Sequence, residues 1–274
     1  MRLDSNDQTQ VSAWTKIQLS LETRINVIFA LLIRDMRTRF GRSHLGYLIA
    51  VAWPLTHLVV IVVIVSFANS IMPLGTDSSV FVATGVMPYI LCLYPARMML
   101  HAIEANRALF LFPVISPLDM IISRAIIEFL TAFAVIIVFC SGLLVAGVEI
   151  IPQNVATWSG AIFSIVYFSI CMGVLNTVIF TLTKAWAVIF IGLILLMYST
   201  AGIFVLPSTY SPEFRWVAWY NPLLHCVEWL RSAYYEGYGD DMLSKVYVLS
   251  FATCLLFAGL VGERFVRGKL MTPS

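Results

Sequence analysis

Residues 34–54 read RDMRTRFGRSHLGYLIAVAWP and pass from a basic segment directly into an apolar one. Four of the first nine residues are arginines, and no Asp, Glu, Lys or Arg then occurs before Asp77. During membrane insertion an excess of Lys and Arg stays on the cytoplasmic side. We therefore predict that residues 1–44 form a cytoplasmic interface segment and that the chain first crosses a membrane outward after residue 44.

The composition excludes a soluble protein and gives no sign of a metal site. Hydrophobic residues make up 60% of the 274 residues and charged residues only 12%, too few to cover a soluble surface. Five cysteines stand at wide spacing without a CxxC pair, as expected of small apolar side chains. The histidines show no HExxH or paired spacing for zinc, and they are His44, His57, His101 and His225.

Six stretches are long enough to cross a bilayer core of about 30 Å, which takes about 20 helical residues. They are residues 45–68, 80–100, 125–148, 157–182, 185–206 and 246–262. The second contains Pro88 and Pro95, so we predict a kinked or broken helix there. With both termini cytoplasmic, 14 Lys and Arg residues lie inside and three outside. The prediction is an all-α polytopic protein with a six-helix transmembrane domain at 45–262 and a cytoplasmic tail at 263–274.

Three segments outside the spans are predicted to have structure of their own. Residues 12–40 place apolar side chains on one side at helical spacing, which predicts an amphipathic helix in the membrane interface. The inside loop at 101–112 is compatible with a helix that ends before Pro113. The outside segment 207–245 is rich in aromatics and contains apolar runs too short to span, which predicts re-entrant helices before the last span.

Aromatic and charged side chains allow more than one role. The aromatic residues Tyr47, Trp53, Tyr198, Trp216, Trp219, Tyr220 and Trp229 offer flat apolar faces to sugar rings, although Trp and Tyr also gather at any membrane interface. Glu128 lies four residues after Arg124, which favours a structural ion pair. No GxxxxGK[ST] phosphate loop occurs, so any ATP site belongs to another chain.

Three motifs in register carry a resemblance to a known family. They are RDMRTRFG at 34–41 with LGYL at 45–48 and Pro54; AIEAN at 102–106 with Leu109 and Phe110; and Asn221, Pro222 and Leu223 with His225, Glu228 and Arg231. Over nearly the whole chain the sequence resembles the ABC-2 class of transporter permeases, and within it the KpsM-like inner-membrane components of capsular polysaccharide exporters. O-antigen and teichoic-acid permeases share the architecture and remain an alternative.

The resemblance implies a half-channel without catalytic residues, located in the bacterial inner membrane. Two copies would form the pore for an acidic, lipid-linked polysaccharide, and two copies of a separate ATPase would bind ATP and Mg; this chain would hold no cofactor and no metal. A periplasmic co-polymerase-type adaptor and an outer-membrane polysaccharide export protein are further implied partners.

The same resemblance assigns roles to residues. Coupling to the ATPase would use Glu104, Asn106, Arg107, Leu109 and Phe110. The outer gate would use Asn221, Pro222, His225, Glu228 and Arg231. The substrate path would include the aromatic residues above, and the arginines Arg34, Arg37, Arg39 and Arg42 would attract an anionic polymer, unless they serve only to orient the chain.

Two other classes remain open from the residues alone. A membrane-embedded enzyme acting on lipid-linked sugars would need a general acid and base, and the candidates are Asp119, Glu128, Glu228, Glu236, Asp240 and Asp241. An ion-coupled carrier would bury acids at mid-membrane, where only Glu128 comes close.

Overall fold

The computed structural model describes residues 13–40, 44–68, 74–75, 77–238 and 241–271, and that part of the chain is helical and contains no strand. The helices are α1 (Ala13–Phe40), α2 (His44–Ala68), α3 (Ser78–Leu91), α4 (Leu93–Met99), α5 (Pro117–Val145), α6 (Val155–Leu182), α7 (Trp186–Thr200), α8 (Pro212–Trp219), α9 (Pro222–Arg231) and α10 (Lys245–Met271). A 3-10 helix, the loop helix (Glu104–Leu111), lies between α4 and α5, and a short 3-10 turn covers Pro207–Thr209. The predicted all-α class is confirmed.

The apolar helices follow the order of the predicted spans. Five stretches of the described residues are long and apolar enough to cross a membrane: Gly46–Val65, Ser78–Met99, Pro117–Val145, Val155–Leu182 and Lys245–Gly268. The remaining apolar helix, Trp186–Thr200, is shorter. A polytopic membrane protein is therefore confirmed, while the count of six spans and the re-entry of residues 207–245 stay predictions.

The second predicted span forms the centre of the bundle and is broken, as the prolines predicted. Most of α3 is buried among α2, α9 and the other helices around it. Its helix ends at Leu91, because Pro95 has no N–H to donate to the Leu91 carbonyl and its ring crowds that carbonyl. At the break, the Ser169 hydroxyl of α6 donates to the Cys92 carbonyl at 2.7 Å. A neighbouring helix therefore supports the irregular backbone.

Three helix boundaries differ from the predicted spans for physical reasons. α5 begins at Pro117 and not near residue 125, because Ser116 and Asp119 form a capping box that starts the helix earlier. α7 ends at Thr200 and not at residue 206, and Gly202 follows with a φ of 73°. α10 continues to Met271, nine residues beyond the predicted end at 262.

α6 and α10 form a close helix pair that depends on glycine. A Cβ added to Gly259 of α10 would lie 2.9 Å from Cγ1 of Val174 and 3.0 Å from the backbone nitrogen of Leu175. One at Gly262 would lie 2.7 Å from Cγ1 of Val178. Small residues at such positions let two membrane helices approach closely and pack by van der Waals contact. The pair fixes the last span against the fourth.

Candidate functional site

The loop helix lies inside the predicted coupling region at 101–112 and is held from two sides. Asn106 is buried, donates to the Ala102 carbonyl at 2.9 Å, and accepts a hydrogen bond from Arg34 Nη1 at 2.6 Å. Glu104 is exposed and pairs with Lys184 from the connection between α6 and α7. The Lys184 hydrogen bond lowers the pKa of Glu104 below its ordinary value of 4.5.

The remaining predicted coupling residues divide between packing and exposure. Arg107 is exposed, whereas Leu109 and Phe110 are half-buried, and Phe110 packs against an apolar cluster that includes Ile103 and Ile121. Leu111 ends the loop helix with its side chain almost fully exposed. The loop helix therefore has an anchored side and a free polar side, which a docking partner can contact.

Two ion pairs hold α1 against the beginning of α5. Arg24 Nη1 lies 2.7 Å from Asp119 Oδ2 and also donates to the Val114 carbonyl at 3.1 Å. Arg124 Nη1 donates to Asp35 Oδ2 at 3.3 Å. These charges are partly or largely buried, where ion pairs are costly to break because the partner charge is left without compensation.

The predicted structural role of Glu128 is confirmed by the same arginine. Arg124 Nε lies 2.9 Å from Glu128 Oε1, close enough for an ion pair although not aligned for a hydrogen bond. The Glu128 side chain is fully buried. Arg124 thus stands between two carboxylates, Asp35 and Glu128, and joins α1 to the inside of α5.

The predicted amphipathic helix, α1, has a buried, an exposed apolar and an exposed polar side. Leu31 and Asp35 are buried against the bundle. At about 100° per residue, an exposed apolar stripe lies roughly a quarter turn or more away from the midpoint between them, and its members are Ile25, Phe29, Ile33 and Met36. Asn26 and Arg37 are exposed on the remaining side. Such a helix can contact the bundle, the lipid and water at once.

The arginine row is therefore not a uniform charged surface. The Arg34 guanidinium is committed to Asn106, while Arg37 is exposed. The side chain of Arg39 and all of Arg42 lie outside the described residues. Their predicted role in attracting polymer stays a prediction, with Arg37 the described arginine of the row whose side chain is exposed to an approaching anion.

The predicted outer-gate residues come together in α9 and at its N-terminus, and they are buried. Arg231 has no exposed side-chain surface. Its Nη1 and Nη2 donate to the carbonyls of Gly202 at 2.6 Å and Ile203 at 2.9 Å, and its guanidinium lies 4.0 Å from the centroid of the Phe81 ring. Irregular backbone at membrane depth needs such internal partners because lipid offers none.

A carboxylate and a phenol complete the surroundings of Arg231. Glu228 Oε1 lies 3.6 Å from Arg231 Nη1, and both carboxylate oxygens accept from the Tyr238 hydroxyl at 2.8 and 2.9 Å. Glu228 is itself buried. The buried positive charge is thus balanced by a buried negative one within the same helix.

Asn221, Pro222 and His225 fix the position of α9. Asn221 caps α9 by accepting from the Leu223 N–H at 3.0 Å, and Pro222 occupies the first helical position. His225 Nδ1 accepts from the Ser244 N–H at 3.1 Å, so Nε2 carries the hydrogen and donates to the Trp219 carbonyl at 2.7 Å. The predicted gate role of these residues stays a prediction, and in this conformation they form a scaffold.

The predicted aromatic path falls into separate groups. Trp216, Trp219 and Tyr220 lie together, with Trp216 and Tyr220 centroids 5.3 Å apart and Trp219 and Tyr220 5.5 Å apart. Trp229 faces Lys245, whose Nζ lies 5.3 Å from its ring. No single row of rings joins the predicted members among the described residues.

Tyr198 belongs to a junction of three helices that lies apart from the outer aromatic group. Its ring lies 4.8 Å from that of Tyr89 and 6.0 Å from that of His57. On α2, Tyr47 is exposed and Trp53 is 75% exposed. Whether sugar contacts any of these rings stays a prediction.

The acids proposed for an enzyme are dispersed and mostly ion-paired. Asp119, Glu128, Glu228 and Asp241 each lie near an arginine, the last with Oδ2 3.5 Å from Arg215 Nη2. Glu236 is exposed, and Asp240 lies outside the described residues. Within the described ranges no three His, Cys, Asp or Glu side chains are grouped to hold a metal ion. The geometry is that of structural charges.

No site role was predicted from the sequence for Lys184 and Phe81, which contact the predicted coupling residue Glu104 and the predicted gate residue Arg231. Lys184 is the single charged residue between the fourth and fifth spans, and its partner Glu104 lies 80 positions away. Phe81 provides the aromatic face for Arg231 from another helix. The isolated charge of Lys184 was a signal that it needed a partner, but nothing local identified which one.

Comparison with known proteins identifies the family. The model of the ABC-2 type transporter family matches residues 26–235. The polysialic acid transport protein KpsM of Escherichia coli is 31% identical over 249 residues, which are 89% of this chain and 94% of that protein. The capsule polysaccharide export inner-membrane protein CtrC of Neisseria meningitidis serogroup B is 25% identical over 253 residues, 91% and 94% of the two chains. BexB of Haemophilus influenzae, which has the same description, is 25% identical over 250 residues, 90% and 93%. The chain belongs to the ABC-2 type transporter family.

Proposed function

We propose that this chain is the membrane-spanning permease subunit of an ATP-driven exporter that moves capsular polysaccharide across the inner membrane. The observation that carries the proposal is the similarity over 89% of the chain to a polysialic acid transport protein. Further relatives, each matched over at least 90% of both chains, are named as capsule polysaccharide export inner-membrane proteins. The substrate class follows from theirs.

A separate ATPase supplies the energy and docks on the loop helix and α1. The sequence contains no phosphate-binding loop. The loop helix exposes Arg107 on its free side, while Glu104 pairs with Lys184 and Asn106 joins the loop helix to α1 through Arg34. A partner that grips the loop helix therefore also moves α1. Both elements lie on the side that the distribution of Lys and Arg assigns to the cytoplasm.

The working unit is a pair of these chains with a pair of ATPase subunits, and the pore forms between the two copies. A polymer has to be passed on after it leaves the membrane, so a periplasmic adaptor and an outer-membrane export protein complete the pathway. In this arrangement the chain itself performs no covalent chemistry. Its ATP and Mg sites are on the partner.

The test is complementation in a cell that lacks its own permease of this class. The intact chain is expected to restore surface polysaccharide, whereas Glu104→Ala and Asn106→Ala keep the protein in the membrane but trap polymer inside. Arg264→Ala, an exposed change on α10, is the matched control and is expected to export normally. Normal surface polysaccharide in both loop-helix variants would contradict the coupling role, and absence of export with the intact chain and its ATPase would contradict the function.

A further inference from the structure

α7 is a short helix that apolar packing holds only weakly. Its 15 residues are about 22 Å long at about 1.5 Å per residue, less than a bilayer core of about 30 Å. Phe190 and Ile194 are its only buried side chains, and much of the rest of its surface is exposed. The position of α7 in the bundle therefore depends largely on the contacts at its two ends.

The N-terminal end of α7, which we call its lower end, is linked to the loop helix. Lys184, two residues before α7 begins, pairs with Glu104 and places its Nζ 4.3 Å from the centroid of the Phe180 ring. The Trp186 indole N–H, in the first turn, donates to Asn176 Oδ1 of α6 at 3.0 Å. A displacement of the loop helix therefore acts directly on the connection that leads into α7.

The C-terminal end of α7, its upper end, is linked to α9 by Asn221, the residue that caps α9. Asn221 Nδ2 donates to the Met197 carbonyl at 2.7 Å and to Thr200 Oγ1 at 2.9 Å, both in the last turn of α7. Immediately beyond, Arg231 holds the carbonyls of Gly202 and Ile203. The end of α7 and both ends of α9 are thus connected by hydrogen bonds.

We propose that α7 carries a displacement of the loop helix to α9, and that Lys184 is the positioning residue at its lower end. The inference rests on the proposed function, because it assumes that a partner ATPase displaces the loop helix. A helix with complete internal hydrogen bonding resists changes in length, so a force on its lower end reaches Asn221. α8, which packs against α9, moves with it.

The Lys184–Glu104 pair is suited to transmit force only in the complex. Both side chains are about half exposed, and an exposed ion pair contributes about 1 kcal/mol or less. A partner docked over the loop helix would exclude water from the pair, and the attraction between two charges rises as the surrounding dielectric constant falls. The Lys184–Glu104 ion pair is therefore expected to become stronger when the ATPase is bound.

The experiment measures a distance in the whole transporter, reconstituted in liposomes with its ATPase. Spin labels at Val217 of α8 and Phe163 of α6, both exposed, report movement of the outer helices against the bundle. The labelling background replaces Cys140 and Cys254, which are not fully buried. The labelled chain is compared with and without ATP, and ATP hydrolysis is measured on the same samples.

The expected result is a nucleotide-dependent shift between two distance populations, and Lys184→Glu lowers the equilibrium constant for that shift at least about fivefold, the lower range of typical coupling between sites. ATP hydrolysis stays within about twofold of the intact complex, so the loss lies in transmission. The reciprocal exchange Glu104→Lys with Lys184→Glu restores the response, Lys184→Arg retains it, and Arg264→Glu, an equal change of charge on exposed α10, does not affect it.

Three results would overturn the inference: no nucleotide-dependent change in the intact complex, an undiminished change in Lys184→Glu, or no recovery in the charge exchange. Failure of the proposed function would be distinguished by the intact complex itself, which would then export no polymer. Export with an unaffected Lys184→Glu variant would reject α7 as the link and leave the exporter function in place.

Discussion

Replacement of Arg231 by methionine tests whether a buried guanidinium holds the outer part of the bundle together. The change keeps an unbranched apolar side chain but removes two charge-assisted hydrogen bonds, to the carbonyls of Gly202 and Ile203. Each such bond contributes about 1.5–3 kcal/mol. The substitution also leaves the buried carboxylate of Glu228 without its cation. Breaking a buried ion pair by removing one partner typically costs about 3–5 kcal/mol.

These losses share one side chain and do not add, so we expect Arg231→Met to lower the free energy of unfolding by about 3–5 kcal/mol. The assay is equilibrium unfolding in mixed detergent micelles. The double variant Arg231→Met with Glu228→Gln removes both charges and is expected to recover about 1–2 kcal/mol relative to the single variant. A single variant within about 1 kcal/mol of the intact chain, or a double variant that is no more stable than the single one, would show that the Arg231 guanidinium does not hold these segments together.

Three further predictions follow from other parts of the molecule. Arg34→Ala leaves the buried Asn106 without its charged donor and is expected to reduce export severalfold, whereas Arg37→Ala, on the exposed side of α1, is expected to weaken export mainly at low ionic strength; export assays at two salt concentrations compare them. Because the pKa of Glu104 is lowered from 4.5, its carboxylate is charged at every pH above that value; the stabilisation by Lys184 is present there and is lost as the pH falls through the lowered pKa. The export deficit of Glu104→Gln is therefore expected to be constant from about pH 6 to 8, and a deficit that vanishes within this range would contradict the assignment. Gly259→Val places methyl groups against the α6 backbone and is expected to destabilise the protein by about 1–3 kcal/mol in the same unfolding assay, with Gly142→Val, where a Cβ meets open space, as the control.

Local sequence patterns predicted the helices well where one helix alone decides its boundaries. The amphipathic period predicted residues 12–40, and α1 is described over Ala13–Phe40. The break near Pro95 follows from the missing N–H of proline, a property of one residue. Span boundaries failed where hydropathy was the only guide: the predicted span began at residue 125, whereas Ser116 and Asp119 form a capping box that starts α5 at Pro117.

The early end of α7 could not be predicted because it depends on residues distant in sequence. Residues 201–206 are apolar enough to continue a span, and hydropathy assigned them to one. Arg231, about 30 positions later, provides donors for the carbonyls that a continued helix would have satisfied internally. No pattern within either segment reveals that pairing.

The sequence predicted the regions in which the site residues lie but not the residues that they contact. The three motifs located the loop helix, α9 and the C-terminal end of α1, because each motif lies in a polar or aromatic segment between apolar ones. The partner of Arg34 is Asn106 and that of Glu104 is Lys184, each more than 70 residues away. Long side chains such as arginine reach many neighbours, so tertiary structure alone selects among them.

We propose that this chain forms a passage for the polymer and receives its energy from another subunit. The most direct measurement is ATP-dependent movement of capsular polysaccharide into liposomes that contain the purified chain with its ATPase, compared with liposomes that contain either component alone. We expect transport and polymer-stimulated hydrolysis only when both are present, and neither with this chain alone. Transport or sugar transfer by the purified chain without the ATPase would contradict it.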